Sequence, residues 1–355
     1  MSNLSIYLII FLSSFLSLII FKVLSHRVAL IDVPNSRKKH QGQIPLVGGI
    51  SIFFGMTASL ILFFGVTDEV LLMISAMLIL VITGVQDDRK YLSVRKRIMM
   101  QLLIVFLIWF ETDISLTNLG NLLSFGDIIF PLWFSLIFTS ISIIGLINAI
   151  NMIDGIDGLA GIVSFVGFIF ISIIMSISES SLAMHLILGF CVSMIPFILF
   201  NLGFMGVRNK VFLGDSGSML LGFVIAWISI VSSQEVVFLN IHKILEPTVV
   251  LWIFGLPIMD TLAIIIRRII KGKSPFLPDR DHIHHLFLRI GYSDKYALFF
   301  ISILSALFGG FGLFQKIYNF PVWLSFLLFL ISLFLYSLVI NKAWKTAKFL
   351  RKIRA

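Results

Sequence analysis

An all-α integral membrane protein, a polytopic bundle of about eleven transmembrane helices, is the fold class this sequence predicts. Three observations predict it. Apolar residues make up 59% of the 355-residue chain, and the mean hydropathy is +1.06, outside the range of soluble domains. Apolar runs long enough to cross a hydrocarbon core of about 30 Å recur from end to end. The basic residues gather on alternate loops, as they do on the cytoplasmic side of membrane proteins. A single membrane-embedded domain over 1–355 follows, with no room for a separate soluble one.

The first run, 4–24, has no basic stretch before it and no small-residue cleavage site after it, so it reads as a retained span. Runs 46–66 and 70–86 follow the basic loop 25–45. The fourth run, 98–110, is short, and the 111–127 stretch after it suits the membrane interface. Runs 128–147, 158–177 and 183–200 are each long enough to span. The eighth, 213–233, opens on small residues around Asp215, and the ninth, 248–266, encloses Asp260. The last two are 297–315 and 320–340.

The loops test this map. Of the 27 Lys and Arg residues, 24 fall in loops 25–45, 87–97, 201–212 and 267–296 and the tail 341–355. Loop 148–157 lies on the same side and has none. Only Lys243 and Lys316 fall opposite, and Lys22 closes the first span. The amino terminus is therefore expected outside, and the carboxyl terminus in the cytoplasm. The net charge of +9 is a topology signal plus attraction to anionic lipid, so nucleic acid is not needed as a partner. Cys191 is the only cysteine and lies inside a span, so no intrachain disulfide is possible.

Almost every polar residue suited to chemistry falls at the cytoplasmic ends of these spans. Carboxylates are costly there, so a cluster needs a reason, commonly a site for ions, protons or phosphates. Asp87 and Asp88 end the third run. Adjacent acids suit a metal, or a pair that shares a proton unequally; they also suit a solvated loop beside Arg89 and Lys90. Asn151, Asp154, Gly155, Asp157 and Gly158 form a denser motif. Its glycines admit a turn or close approach, and its Asn and Asp side chains are hard oxygen donors. Asp157 also suits a cap for the next helix. Asp215, among small residues at a helix start, suits a divalent cation shared with a phosphate; an N-cap is the plainer reading. Mg2+ needs only one or two protein ligands beside substrate phosphates, which suits Asp215 with Asn151.

His282, His284 and His285 lie near Arg280 and Arg289 without a cysteine, which fits an anion such as a diphosphate better than zinc. Asp279 and Asp281 are placed to orient the imidazoles. Arg37 and Lys38 in the first loop, and Arg95, Lys96 and Arg97 in the second, read as topology determinants and as anion clamps. Asp260 suits a basic partner or a supporting role, and the sequence leaves both open. A transporter would place its acids near the bilayer midplane on broken helices. Here they crowd one face, which favours an enzyme joining a soluble anionic donor to a lipid phosphate. A scaffold leaves both clusters unexplained.

The stretches DVPNSRKKHQGQIPLVGG (32–49), GVQDDR (84–89), NAINMIDGIDGLAG (148–161), FLGDSGS (212–218) and GKSPFLPDRDHIHHLFLRIG (272–291) resemble the polyprenyl-phosphate N-acetylhexosamine-1-phosphate transferases, and within them the bacterial WecA type. One departure is Tyr91, where such proteins often carry a third acid. The resemblance implies a metal-dependent phosphoglycosyl transferase of the cytoplasmic (inner) membrane. It would take UDP-N-acetylglucosamine and undecaprenyl phosphate, in the initiating step of a surface polysaccharide such as O-antigen, common antigen or teichoic acid. Another UDP-N-acetylhexosamine would serve the same chemistry, and relatives form homodimers. The resemblance also implies roles. Asp215 and Asn151 would hold Mg2+ or Mn2+, and Asp87, supported by Asp88, would position or deprotonate the lipid phosphate. Asp154 and Asp157 would line the nucleotide pocket. Arg280, His282, His284 and His285 would hold the diphosphate or sugar, and Arg97 would stand near the phosphates.

Overall fold

The computed structural model describes residues 2–34, 42–235, 238, 241, 243–274 and 282–342. Among them are thirteen α-helices and one short two-stranded antiparallel ribbon. Every predicted run coincides with helix. The first four are α1 (Asn3–Ser25), α2 (Gly48–Phe64), α3 (Asp68–Lys90) and α4 (Val94–Thr112). The next four are α5 (Leu132–Ile153), α6 (Leu159–Ile177), α7 (Ser181–Asn201) and α8 (Gly214–Ser233). The ninth run is split into α9 (Pro247–Ile253) and α10 (Gly255–Ile270). The short α11 (Ile283–Ile290) precedes α12 (Asp294–Ile317) and α13 (Val322–Asn341).

Eight helices are long and apolar enough to cross a membrane, namely α1, α3, α5, α6, α7, α8, α12 and α13. The α9–α10 pair qualifies as a ninth but is bent by 84°. The bend has a local cause. Pro257 has no N–H to give the carbonyl of Ile253, and its ring crowds that same carbonyl, which favours the break beside it at Phe254. Of the eleven expected spans, α2 is apolar but only 17 residues long. The remaining one, α4, carries Arg95, Lys96, Arg97 and Glu111 within its length.

Several expected loops are largely helix. Asp87 and Asp88 belong to the last turn of α3, and Arg95 to Arg97 to the first turn of α4, so only Tyr91, Leu92 and Ser93 connect them. Asn148 and Asn151 lie within α5, and Arg267 and Arg268 within α10. Two of these polar helix ends are tied to other helices, α3 to α4 by the Asp87–Arg97 pair and α5 to α8 by Asn151 and Asp215.

The helix at the centre is α8, whose apolar window is wholly buried against α5, α3 and α2. Gly84 shows how close α3 comes: a Cβ there would stand 2.2 Å from the Cα of Ser216. Only a residue without a side chain allows that approach. The ribbon of β1 (Ile31–Asp32) and β2 (Ile44–Pro45) fixes the start of α2 against the start of α8. The Phe212 N–H donates to the Pro45 carbonyl at 2.8 Å, and the Gly48 N–H to the Phe212 carbonyl at 3.0 Å. At the opposite end of α8, Gln234 accepts the N–H groups of Thr117 and Asn118, both at 3.0 Å, and donates to the Asn118 carbonyl at 2.9 Å. The segment after α4 is thereby tied to the central helix.

Candidate active site

Four motifs far apart in sequence meet at one end of the bundle. Asp215 sits in the first turn of α8 and accepts the Asn151 side-chain N–H at 2.6 Å. The same amide donates to Ser218 Oγ at 2.9 Å. The pair named from sequence as metal ligands is thus assembled. Asn151 keeps its carbonyl oxygen as a hard donor.

Asp88 accepts the backbone N–H of Asp215 at 2.9 Å and that of Ser216 at 3.4 Å. It does for α8 what an N-cap side chain does, although it comes from α3. Its neighbour Asp87 is buried, accepts the Leu92 N–H at 2.6 Å, and forms an ion pair with Arg97 at 3.1 Å. Adjacent residues thus take different tasks, Asp88 seating α8 and Asp87 joining the end of α3 to the start of α4. Arg97, expected near phosphates, stands on Asp87. The charges of Asp87, Asp88 and Asp215 act on one another, and such crowding favours a cation.

Among the described residues, no three His, Cys, Asp or Glu side chains converge as a ready metal cage. Asp215 and Asn151, beside two further carboxylates, would make a sparse set of hard oxygen donors. That fits Mg2+ or Mn2+ completed by phosphates and water, and does not fit zinc.

Asp154 ends α5, and Gly155 follows. Crowding by protein, then the charges of Asp215 and Asp157, push the Asp154 carboxyl up to about 7. The residue is open to solvent, so water offsets part of that crowding, and repulsion from the two carboxylates remains. Asp157 is ion-paired with Lys210, which also lies 5.9 Å from the centre of the Phe212 ring. Lys210 was not singled out from the sequence. Its only linear signal is a lone lysine two residues before the FLGDSGS stretch.

The histidines complete the end of the bundle. His282 is the N-cap residue of α11, and His284 and His285 stand in its first turn. His284 is buried, and a Cβ on Gly155 would stand 2.1 Å from its Nε2. The first glycine of the DGIDG run is thus the seat of an imidazole. Burial, then the charges of His285 and His282, lower the His284 pKa from 6.5 to about 3, against a smaller upward pull from Asp260. His284 is therefore neutral at physiological pH. The rings of His282 and His284 are nearly parallel, with centroids 5.8 Å apart, and His285 lies 4.1 Å from His284.

Asp260, left open between a basic partner and a supporting role, is bonded to His282 at 2.7 Å. Arg37, Lys38, Arg280, Asp279 and Asp281 lie outside the described residues. Of the predicted site residues within them, all are drawn to this one end.

The profile of glycosyl transferase family 4 matches residues 70–233, which run from α3 to the end of α8. Proteins named undecaprenyl-phosphate alpha-N-acetylglucosaminyl 1-phosphate transferase are similar over nearly the whole chain. The one from Salmonella typhi is 37% identical over 97% of this chain and 93% of its own length. That of Escherichia coli K12 is 38% identical over the same shares. That of Haemophilus influenzae is 37% identical over 97% of this chain and 96% of its own length. With motifs, fold and full-length similarity in agreement, the chain belongs to glycosyl transferase family 4.

Proposed function

We propose that the protein transfers N-acetylglucosamine-1-phosphate from UDP-N-acetylglucosamine to undecaprenyl phosphate, giving undecaprenyl-diphospho-N-acetylglucosamine and UMP. The step would initiate a cell-surface polysaccharide at the cytoplasmic (inner) membrane. The observation that carries this reading is the seating of Asp215 by Asn151 and Asp88 at one end of the apolar bundle, in a chain similar end to end to enzymes of that name.

An oxygen of the lipid phosphate attacks the β-phosphorus of the donor. The new P–O bond forms as the bond from that phosphorus to the bridging oxygen breaks, and UMP leaves with the oxygen and its electron pair. A lipid phosphate is already largely ionised near neutral pH, with a second pKa of about 6, so little proton removal is required. Asp87 therefore acts chiefly in geometry, held by Arg97 and the Leu92 N–H. Asp215 and Asn151 hold Mg2+ or Mn2+, which when bound offsets charge on the diphosphate. Asp88 keeps Asp215 in place through its backbone. Asp154 and Asp157, with Lys210, border the nucleotide side, and the α11 histidines meet the diphosphate or sugar. The bundle spans the membrane about eleven times, with the amino terminus outside and this end of the helices in the cytoplasm. The asymmetry of basic residues supports that orientation.

The test is UMP release by the purified protein with UDP-N-acetylglucosamine, undecaprenyl phosphate and Mg2+. Release that needs both lipid and metal is expected. Release without lipid, or none from a folded protein with any UDP-N-acetylhexosamine, would overturn the assignment.

A further inference from the structure

A buried carboxylate in the second half of the broken span is joined to the histidine motif by a network that the reaction above does not use. Asp260 on α10 is 1% exposed. Its Oδ2 meets His282 Nδ1 at 2.7 Å. Its Oδ1 accepts the Ile283 N–H at 3.0 Å and the Tyr336 hydroxyl at 2.6 Å. Tyr336 comes from α13, the last helix, beyond the segment matched by the family profile.

Three groups meet one carboxylate, two of them donors by their chemistry, the Ile283 N–H and the Tyr336 hydroxyl. An ionised carboxylate is an acceptor only and takes all three. His282 then presents Nδ1–H, which leaves Nε2 as the ring's acceptor. A carboxylate in this position fixes the tautomer and orientation of an imidazole and stabilises the imidazolium. The Ile283 bond also supplies the cap that the His282 side chain does not provide to α11.

We propose that Asp260, seated by Tyr336, is a positioning residue that keeps the His282 proton on Nδ1 and lets the ring carry a second proton on Nε2, facing the donor diphosphate. This rests on the reading of the histidine motif as the diphosphate side of the site. The imidazolium donates Nε2–H to a phosphate oxygen, and that charge-assisted bond strengthens as negative charge gathers on departing UMP. The bent helix thereby has a use. Its second half carries Asp260 to the start of α11, and α13 closes the network from behind.

Asp260→Asn separates this role from simple packing. The asparagine oxygen must occupy the Oδ1 position to keep the Ile283 and Tyr336 bonds, so its NH2 faces His282. Nδ1 then becomes the acceptor, the proton moves to Nε2, and the imidazolium is disfavoured. The α11 cap survives.

The experiment combines turnover with 15N NMR of histidine-labelled protein in lipid nanodiscs, the His282 signal being assigned by its loss in His282→Gln. Wild-type protein is expected to carry the His282 proton on Nδ1, and Asp260→Asn on Nε2. With UDP-N-acetylglucosamine and undecaprenyl phosphate, kcat should fall about 100-fold or more in Asp260→Asn, with donor KM changed less than about three-fold. Tyr336→Phe should lower kcat in the same sense by a smaller factor, and it carries the kinetic test should Asp260→Asn fail to fold. The same tautomer in wild type and Asp260→Asn, or an unchanged kcat in a folded Asp260→Asn or Tyr336→Phe, would overturn the proposal. Absence of UMP release from wild type sinks the assigned reaction instead, and the tautomer comparison still decides the Asp260–His282 pairing.

Discussion

Asp215 is held through its backbone N–H by Asp88 at 2.9 Å and through its side chain by Asn151 at 2.6 Å. Asp215→Asn keeps the volume and can keep a hydrogen bond to Asn151, but it removes the charge that a divalent cation needs. Turnover is expected to fall about 100-fold or more, with helical content by circular dichroism unchanged. Near-wild-type UMP release in detergent would refute the metal role. His284 supports a prediction of a different kind. Its pKa is lowered from 6.5 to about 3, so as pH falls between those values the unfolded chain binds a proton that the folded chain refuses. Stability is therefore lost as pH drops across that window, by at most about 1.4 kcal/mol per pH unit. His284→Gln should flatten the dependence of melting temperature on pH between about 6.5 and 4; an unchanged slope would refute the assignment. Asp215 and Asn151 were legible in sequence because an Asp or Asn beside glycine at a span edge is hard to explain otherwise. Lys210 was not, because its partner stands 53 residues away; Asp260 was singled out, but its pairing with His282, 22 residues away, was not legible, because only tertiary approach creates the pair.

Elements meet here through a few very close contacts. Gly84 and Ser216 bring α3 onto α8, and that contact lies one turn from Asp87 and Asp88. Gly84→Ala adds a methyl that meets backbone, which cannot swing aside. The helices must part, and overpacking of this kind costs about 1–3 kcal/mol. Both a lower melting temperature and reduced turnover are expected, because Asp88 would lose its reach to the Asp215 N–H. A fully active, equally stable variant would show that the interface yields without disturbing the site. Helix positions were legible because apolar runs of span length admit little else. Helix ends were not. Hydropathy averages over a window, so it shortened α3, α4 and α5, whose polar turns are bonded elsewhere in the bundle, α3 to α4 through Asp87 and Arg97 and α5 to α8 through Asn151. It also passed over the break at Phe254, although Pro257 was in plain view.

At the scale of the molecule, the described candidate site residues gather at one end of a largely apolar bundle. A site completed by phosphates and metal should be silent without metal. Incubation with EDTA is expected to abolish UMP release, and excess Mg2+ to restore it, without a change in helical content. Activity that survives chelation would remove the cation from the reaction. The fold class and the gathering of motifs on one face were legible from charge asymmetry and hydropathy together. The identity of the central helix was not, because α8 is no more apolar than its neighbours and nothing linear marks it as enclosed.

That enclosure bears on how the protein is made. Helices α2, α3 and α5, which wrap α8, all leave the ribosome before it does. Until Ser233 has been synthesised, the faces they turn to α8 have nothing to pack on, although α2 already meets α1 and α7. At roughly 5–20 residues per second the wait lasts on the order of seconds. A nascent chain that stalls in α7 would leave the α8-facing sides of α2, α3 and α5 without the helix that joins them.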